Sequence, residues 1–214
     1  TYKKLEAEVH QRFVDGQGFA LATVNLDHLV KMADSSDFLD AYAQQDLVVA
    51  DGRPIVWLSR LAGTSVELMA GSDMIVPLCQ MAAQAGVPVA LVGSTQVALD
   101  DAARILQGQV TDLNITLCHA PSGVFDPMED EAAQILQRLN DEKIGLCFLA
   151  LGAPKQELLA ARGRQLAPGV GFASIGAGLD FLGGHQRRAP VWMRRLALEW
   201  LWRALSSPMR MVPR

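Results

Sequence analysis

No stretch of this sequence is long and apolar enough to span a bilayer: the longest nearly apolar run, Ile144 to Pro154, falls far short of the roughly 20 residues such a helix needs. Cysteine is scarce as well. Cys79, Cys118 and Cys147 are odd in number, sit in apolar surroundings and form no C-x-x-C pair. That excludes a disulfide framework and a zinc site, and leaves buried thiols in a reducing compartment as the expectation. The chain has no internal repeat, no low-complexity tract, no G-x-G-x-x-G turn, no P-loop and no Asp-x-Asp pair. Thr1 to Asp15 mixes charges evenly and lacks the apolar centre of a signal peptide, so the protein is expected to stay in the compartment where it is made.

What is present is a chain of 214 residues, half of them apolar, with 18 Gly and 10 Pro. Such a length and composition suit one α/β core with at most an appendage, divided here as residues 1–184 and 185–214. The formal net charge of −4 conceals an asymmetry. Arg187, Arg188, Arg194, Arg195, Arg203, Arg210 and Arg214 crowd the last thirty residues, with no lysine and only Glu199 against them. An acidic body with an arginine tail points to a tail that meets anions: phosphate, nucleic acid or an anionic membrane surface.

Short β-branched, apolar runs alternate with longer amphipathic ones. Strands are expected at Phe19 to Val24, Leu47 to Ala50, Val87 to Val92, Asn114 to Cys118, Ile144 to Leu151 and Gly169 to Ile175. Helices are expected at Leu26 to Ala43, Pro54 to Leu61, Ser72 to Ala85 with Ser72 as cap, Gln96 to Leu106, Met128 to Leu139 and Lys155 to Gln165. Several strands are continuously apolar, as they are when helices cover both faces of a parallel sheet. The expected fold is therefore a doubly wound, mostly parallel, Rossmann-like α/β sheet with a helical, arginine-rich C-terminal appendage. Ligands of such folds bind outside the carboxyl ends of the strands.

Four post-strand segments carry chemistry. Gly93-Ser94-Thr95 ends a strand and opens a helix, where backbone N–H groups and the helix dipole can hold a phosphate; a plain capped turn is the alternative. Asp51, before Gly52-Arg53-Pro54, is either a helix cap or a general base at the mouth of the sheet. Gly152-Ala153-Pro154-Lys155-Gln156-Glu157 places three hydrogen-bonding side chains directly after the most apolar strand, against the alternative of a solvated first turn. Gly176-Ala177-Gly178 before Asp180 can bring backbone close to a ligand, with Asp180 accepting from a base or ribose, or can be a flexible turn with a capping acid.

Taken in order, Thr23-Val24-Asn25, Asp51-Gly52, Gly71-Ser72-Asp73, Leu91-Val92-Gly93, the Leu151 to Glu157 block, Gly176 to Asp180, Arg188-Ala189-Pro190 and Leu198-Glu199-Trp200-Leu201-Trp202-Arg203, followed by Pro208 and Arg210, resemble the successive motifs of the WecG/TagA/CpsF glycosyltransferases, glycosyltransferase family 26. The resemblance runs from about residue 19 to the end of the chain. It implies an inverting enzyme that moves a sugar, commonly of the N-acetylmannosamine type, from a UDP donor to a polyprenyl-diphosphate-linked sugar at the cytoplasmic face of the membrane. By the same resemblance Asp51 is the base, with Thr23 and Asn25 beside it. Gln156 and Asp180 match positions of the donor pocket, and the arginines of the tail, Arg203 and Arg210 among them, match an appendage that closes over the site and touches membrane. One departure stands out: where family members often carry arginine shortly before Gly-Ser-Asp, this chain has Glu67-Leu68-Met69-Ala70.

The chemistry of the residues agrees with that implication. Sugar transfer from a nucleotide diphosphate needs a base on the acceptor hydroxyl and positive charge on the departing diphosphate. Without an Asp-x-Asp pair, arginine forks are expected to supply the charge and no metal cofactor is expected. Read as a helix, Pro190 to Leu205 puts Trp192, Leu196 and Trp200 on one side and Arg195, Glu199 and Arg203 on another, which suits either an anionic lipid surface or packing on the body. Nucleic acid is disfavoured as a partner, and homo-oligomerisation is left open. Other nucleotide-sugar enzymes and a non-catalytic UDP-binding module are the competing classes. A dehydrogenase, however, would carry a glycine-rich turn that Gly16-Gln17-Gly18 does not supply, and an epimerase would not need the tail.

Overall fold

The computed structural model describes residues 1–185 together with Ala189, Pro190, Met193 and Trp202. Along the chain run α1 (Tyr2–Val14), β1 (Phe19–Val24), α2 (Leu26–Asp34), α3 (Ser36–Ala43), β2 (Leu47–Ala50), α4 (Arg53–Leu61), α5 (Gly71–Ala85) and β3 (Val89–Gly93). They are followed by α6 (Gln96–Gln109), β4 (Ile115–His119), α7 (Asp130–Asp141), β5 (Leu146–Ala150), α8 (Lys155–Leu166), β6 (Gly171–Ser174) and α9 (Gly178–Leu182). The strands form one six-stranded sheet in the order β2-β1-β6-β5-β3-β4, and every pairing is parallel. This is the doubly wound α/β arrangement that the apolar strands imply.

Because strand crossovers are right-handed, a reversal of direction across the sheet moves the connecting helix to the opposite face. The chain steps outward from β1 to β2, crosses to β3 and β4, then steps back through β5 to β6. One face is accordingly covered by α1, α5, α6 and α9, whose buried residues cluster with Leu21, Leu91, Phe148 and Ala173 of the sheet. The other carries α7 and α8 over Ala20, Val92, Leu149 and Phe172, and α3 over Ala22. Among the described residues no helix is long and apolar enough to cross a membrane. Cys79 and Cys147 are buried free thiols and Cys118 is partly exposed. Burial pushes the Cys79 thiol up to about 12, which keeps it protonated and inert.

Three details depart from the sequence reading. The even mixture of charge before Asp15 hides α1, in which Leu5, Val9 and Phe13 recur every fourth residue and are buried against the core. The stretch from Leu26 to Ala43 is two helices: Ser35 is extended, and its hydroxyl accepts the Phe38 N–H to cap α3. Ser72 is not a cap, since α5 begins at Gly71 behind an extended Ala70. The first residue of α5 packs closely on the sheet: a Cβ on Gly71 would lie 3.3 Å from both the Ile175 Cα and the Thr23 methyl.

Phe13 ties α1 to the sheet through its ring contact with Phe19, 5.8 Å between centroids. Phe13→Ala is expected to lower the unfolding free energy by about 3 kcal/mol, the usual cost of deleting a buried aromatic side chain. Urea denaturation of the variant checks this; a loss below about 1 kcal/mol would mean that α1 is not part of the cooperative core.

Candidate active site

The switch in direction falls between β1 and β3, where such sheets offer a crevice outside the carboxyl ends of their strands, and the described residues expected from the sequence follow the ends of β1, β2, β3, β5 and β6, although not all of them face it. Thr23 is buried at the end of β1, with its methyl against Gly71. Its carbonyl accepts the Tyr42 hydroxyl at 2.7 Å and lies 2.8 Å from His28 Nδ1, which is also 2.6 Å from the Tyr42 oxygen. With the tyrosine proton committed to Thr23, both oxygens near Nδ1 present lone pairs, so Nδ1 carries the hydrogen. Burial first, then the charges of Glu157 and Asp51, push the Tyr42 phenol far above its usual range and keep it a donor. Asn25 caps α2, its side chain accepting the His28 N–H at 3.1 Å. Sequence reasoning misses His28 and Tyr42. The signal for His28 is its place at the third position after the cap Asn25; that for Tyr42 is its membership, with Phe38 and Ala41, in the buried stripe of α3.

Asp51 leaves β2 beside this cluster. Its N–H donates to the Val24 carbonyl at 2.8 Å, which ties the exit of β2 to that of β1. The N-cap of α4 is Gly52, with φ of +99°, so Asp51 stands one residue outside the helix and is not its cap residue. The carboxyl is partly exposed, at the rim rather than in the core.

The block after β5 is not a solvated turn. Gly152 and Lys155 are exposed, but Gln156 and Glu157 are buried, at 2% and 0% exposure. The Gln156 amide works in two directions: its oxygen accepts the Gly176 N–H at 3.0 Å, and its nitrogen donates to Glu157 Oε1 at 2.8 Å. Gln156 thereby joins the loop after β5 to the loop after β6. Lys31 reaches across from α2 to the Ala153 carbonyl at 3.3 Å and pairs with Asp27 at 2.7 Å. Glu157 Oε2 has no hydrogen-bond partner among the described residues. Burial raises the Glu157 pKa above the ordinary glutamate value, only partly offset by the Gln156 hydrogen bond.

The third strand end meets the same loop. A Cβ on Gly93, φ +120°, would stand 2.4 Å from the Ala150 carbonyl oxygen, so only glycine lets β3 end flush against β5. The Ser94 N–H is spent on that carbonyl at 2.9 Å, and Thr95 caps α6 through the Ala98 N–H. Of the amides expected to face a phosphate, that of Ser94 is thus engaged within the protein. The Ser94 hydroxyl donates to Asp180 Oδ1. Asp180 sits inside α9, whose N-cap is Ala177, so it is not a capping acid. Its helix nests against α5, where a Cβ on Gly178 would come within 2.7 Å of Ile75 Cδ1. Thr23, Asn25 and Asp51 on one side and Ser94, Gln156, Gly176 and Asp180 on the other therefore line one edge of the sheet. Glu157 lies behind Gln156, and Lys155 points outward with Gly152. Arg203 and Arg210, with the proposed tail helix around them, lie outside the described residues.

A family model described as Glycosyl transferase WecG/TagA/CpsF family matches residues 1–214. The match takes in α1 as well as the whole sheet.

The raised pKa of Glu157 has a pH consequence. Native protein holds this proton more tightly than the unfolded chain, so Glu157 makes the fold progressively less stable as pH rises above the ordinary glutamate value of 4.5. Glu157→Gln keeps an oxygen for the Gln156 N–H and removes the titration. Its stability relative to wild type is expected to rise from pH 4.5 toward neutrality. Thermal denaturation of both proteins across that range checks it; parallel curves would mean that Glu157 titrates as an ordinary surface acid.

Proposed function

Because the chain belongs to the WecG/TagA/CpsF family of glycosyltransferases, which act in cell-surface polysaccharide synthesis, we propose that it transfers a sugar of the N-acetylmannosamine type from a UDP donor to a polyprenyl-diphosphate-linked sugar, with inversion. The observation that carries the reading is the placement of Asp51 at the rim of the crevice, outside α4 and opposite the paired loops of β3, β5 and β6. Asp51 takes the proton of the acceptor hydroxyl. As that oxygen forms its bond to the anomeric carbon, the bond from the same carbon to the UDP β-phosphate oxygen breaks on the opposite face. Single displacement of this kind inverts the centre.

The donor half of the crevice has the parts such a step uses. Gln156 fixes the Gly176 backbone, and Ser94 fixes Asp180, leaving two braced loops to receive a nucleotide across the strand ends. The N-termini of α5 and α6 bring the positive ends of two helix dipoles to the edge where the diphosphate would gain charge. Arg203 and Arg210 are proposed to complete its neutralisation, and the arginine-rich segment to hold the protein on anionic lipid at the cytoplasmic membrane face. UDP-sugar, lipid-linked acceptor and membrane surface are then the partners, with no nucleic acid.

Asp51→Asn is expected to retain UDP affinity while turnover falls by about a hundredfold or more, the usual range for losing a general base. Calorimetry with UDP and single-turnover transfer to a short-chain acceptor measure the two quantities; near-wild-type turnover would remove Asp51 from the mechanism. A non-catalytic binding module would instead bind UDP and release none from a UDP-sugar in the presence of acceptor. Transfer is further expected to persist in EDTA, since the chain carries no Asp-x-Asp pair and arginine is available for the diphosphate. Loss of turnover in EDTA that Mg²⁺ or Mn²⁺ restores would overturn metal independence.

A further inference from the structure

On the outer side of β2, α4 and the segment 65–68 enclose a groove of about 480 Å³. Arg53, Trp57 and Arg60 line it from the helix, and Val66, Glu67 and Leu68 from the segment. Positions 53, 57 and 60 follow the i, i+4, i+7 spacing of one helix stripe, which sets the two guanidiniums on the same side with an indole between them. Trp57 and Leu68 are each nearly half exposed, at 49% and 46%, and both line this groove. The groove is also cationic. Among the described residues neither the Arg53 nor the Arg60 guanidinium has a hydrogen bond or an ion pair, whereas the Glu67 carboxylate already accepts the Tyr2 N–H at 2.7 Å.

Its position is fixed by the backbone. Leu68 forms a parallel bridge with Ala50, and the Met69 N–H donates to the Ala50 carbonyl at 2.8 Å, so the segment runs along the outer edge of β2 up to the residue before Asp51. Arg53 follows Asp51 by two residues. One end of the groove therefore opens beside the proposed base.

We propose that this groove binds the diphosphate and the first apolar units of an amphiphilic diphosphate, which in the enzyme is the lipid-linked acceptor; this rests on the function proposed above. Two unpaired guanidiniums offer bidentate forks to a doubly phosphorylated group, and Trp57 and Leu68 offer an apolar track beside them. Arg53 and Arg60 stand about 10 Å apart along the helix axis, a span their long side chains close onto linked phosphates. The chemistry selects an amphiphile over the alternatives. Free pyrophosphate would leave the indole and Leu68 without a partner, and the arginine-rich C-terminal segment would bring like charge to like charge. A sugar carried on the bound diphosphate would then extend toward Asp51.

Binding of farnesyl diphosphate and of inorganic pyrophosphate to the full chain, followed by calorimetry without any donor, tests the proposal independently of turnover. Wild type is expected to bind farnesyl diphosphate at least tenfold more tightly than pyrophosphate. The double variant Arg53→Gln, Arg60→Gln should lose tenfold or more in affinity for farnesyl diphosphate, and Trp57→Ala should erase the preference over pyrophosphate. UDP affinity unchanged in both variants shows that each is folded. Unchanged farnesyl diphosphate affinity in the double variant, or no binding by wild type, overturns the proposal. So does a double variant that loses only its binding to phosphatidylglycerol vesicles, which would make the arginines a membrane contact. Failure of the general-base reading is separately visible: an active Asp51→Asn protein would refute the base while leaving these affinities untouched.

Discussion

The side-chain amide of Gln156 is the joint on which the crevice depends. A buried amide must satisfy both its ends, and here the two ends belong to different parts of the chain: the oxygen takes the Gly176 N–H and the nitrogen gives to Glu157. The amide cannot turn over without setting donor against donor at Gly176. Its orientation is therefore fixed by the backbone of the loop after β6, and that loop is fixed by it in return. A glutamate at the same position would place a charge in a site already occupied by a second acid.

Around this joint the sheet supplies the rest by sterics. Gly93 lets two strand ends meet without a side chain between them, and Gly71 and Gly178 let α5 and α9 approach Ile175 and each other. The polar cluster under Thr23 works on the same logic as Gln156. Tyr42 and His28 both address one carbonyl, so the exit of β1 is held from below while Asp51 ties it to β2 from the side. The hydrogen-bonding groups thus rise from strand ends whose positions the Tyr42, His28 and Gln156 hydrogen bonds hold. Such preorganisation is what electrostatic catalysis requires of a site.

The fold was largely legible because parallel strands buried on both faces announce themselves as unbroken apolar runs. Where legibility failed, a local pattern was masked or a distant partner decided. In α1 the apolar positions Leu5, Val9 and Phe13 are only three among many charges, so composition hid a spacing that periodicity carries. At Ser35 the succession of Asp34, Ser35, Ser36 and Asp37 contained the cap, but an amphipathic run on either side made one helix the simpler reading. Asp51, Gln156 and Asp180 could be picked out as polar residues after strands, yet their alternatives stayed open from sequence alone. What rules out a solvated turn for Gln156 is an N–H twenty residues away, and Asp180 meets a serine eighty-six residues earlier. Contacts of that separation leave no trace in a local window.

The place of β6 in the sheet bears on how the molecule comes into being. It is a four-residue strand, and among the described strands it alone joins β2-β1 to β5-β3-β4, pairing Phe19 with Gly171 on one flank and Leu146 with Gly171 on the other. A chain emerging from the ribosome can pair its first two strands early and its next three later, but the two half-sheets have no common member until this strand arrives. Thr23 and Asp51 belong to the first half, Ser94 and Gln156 to the second. Until β6 is paired on both flanks, the parts of the crevice belong to two separate half-sheets, and the crevice itself exists only once they are joined.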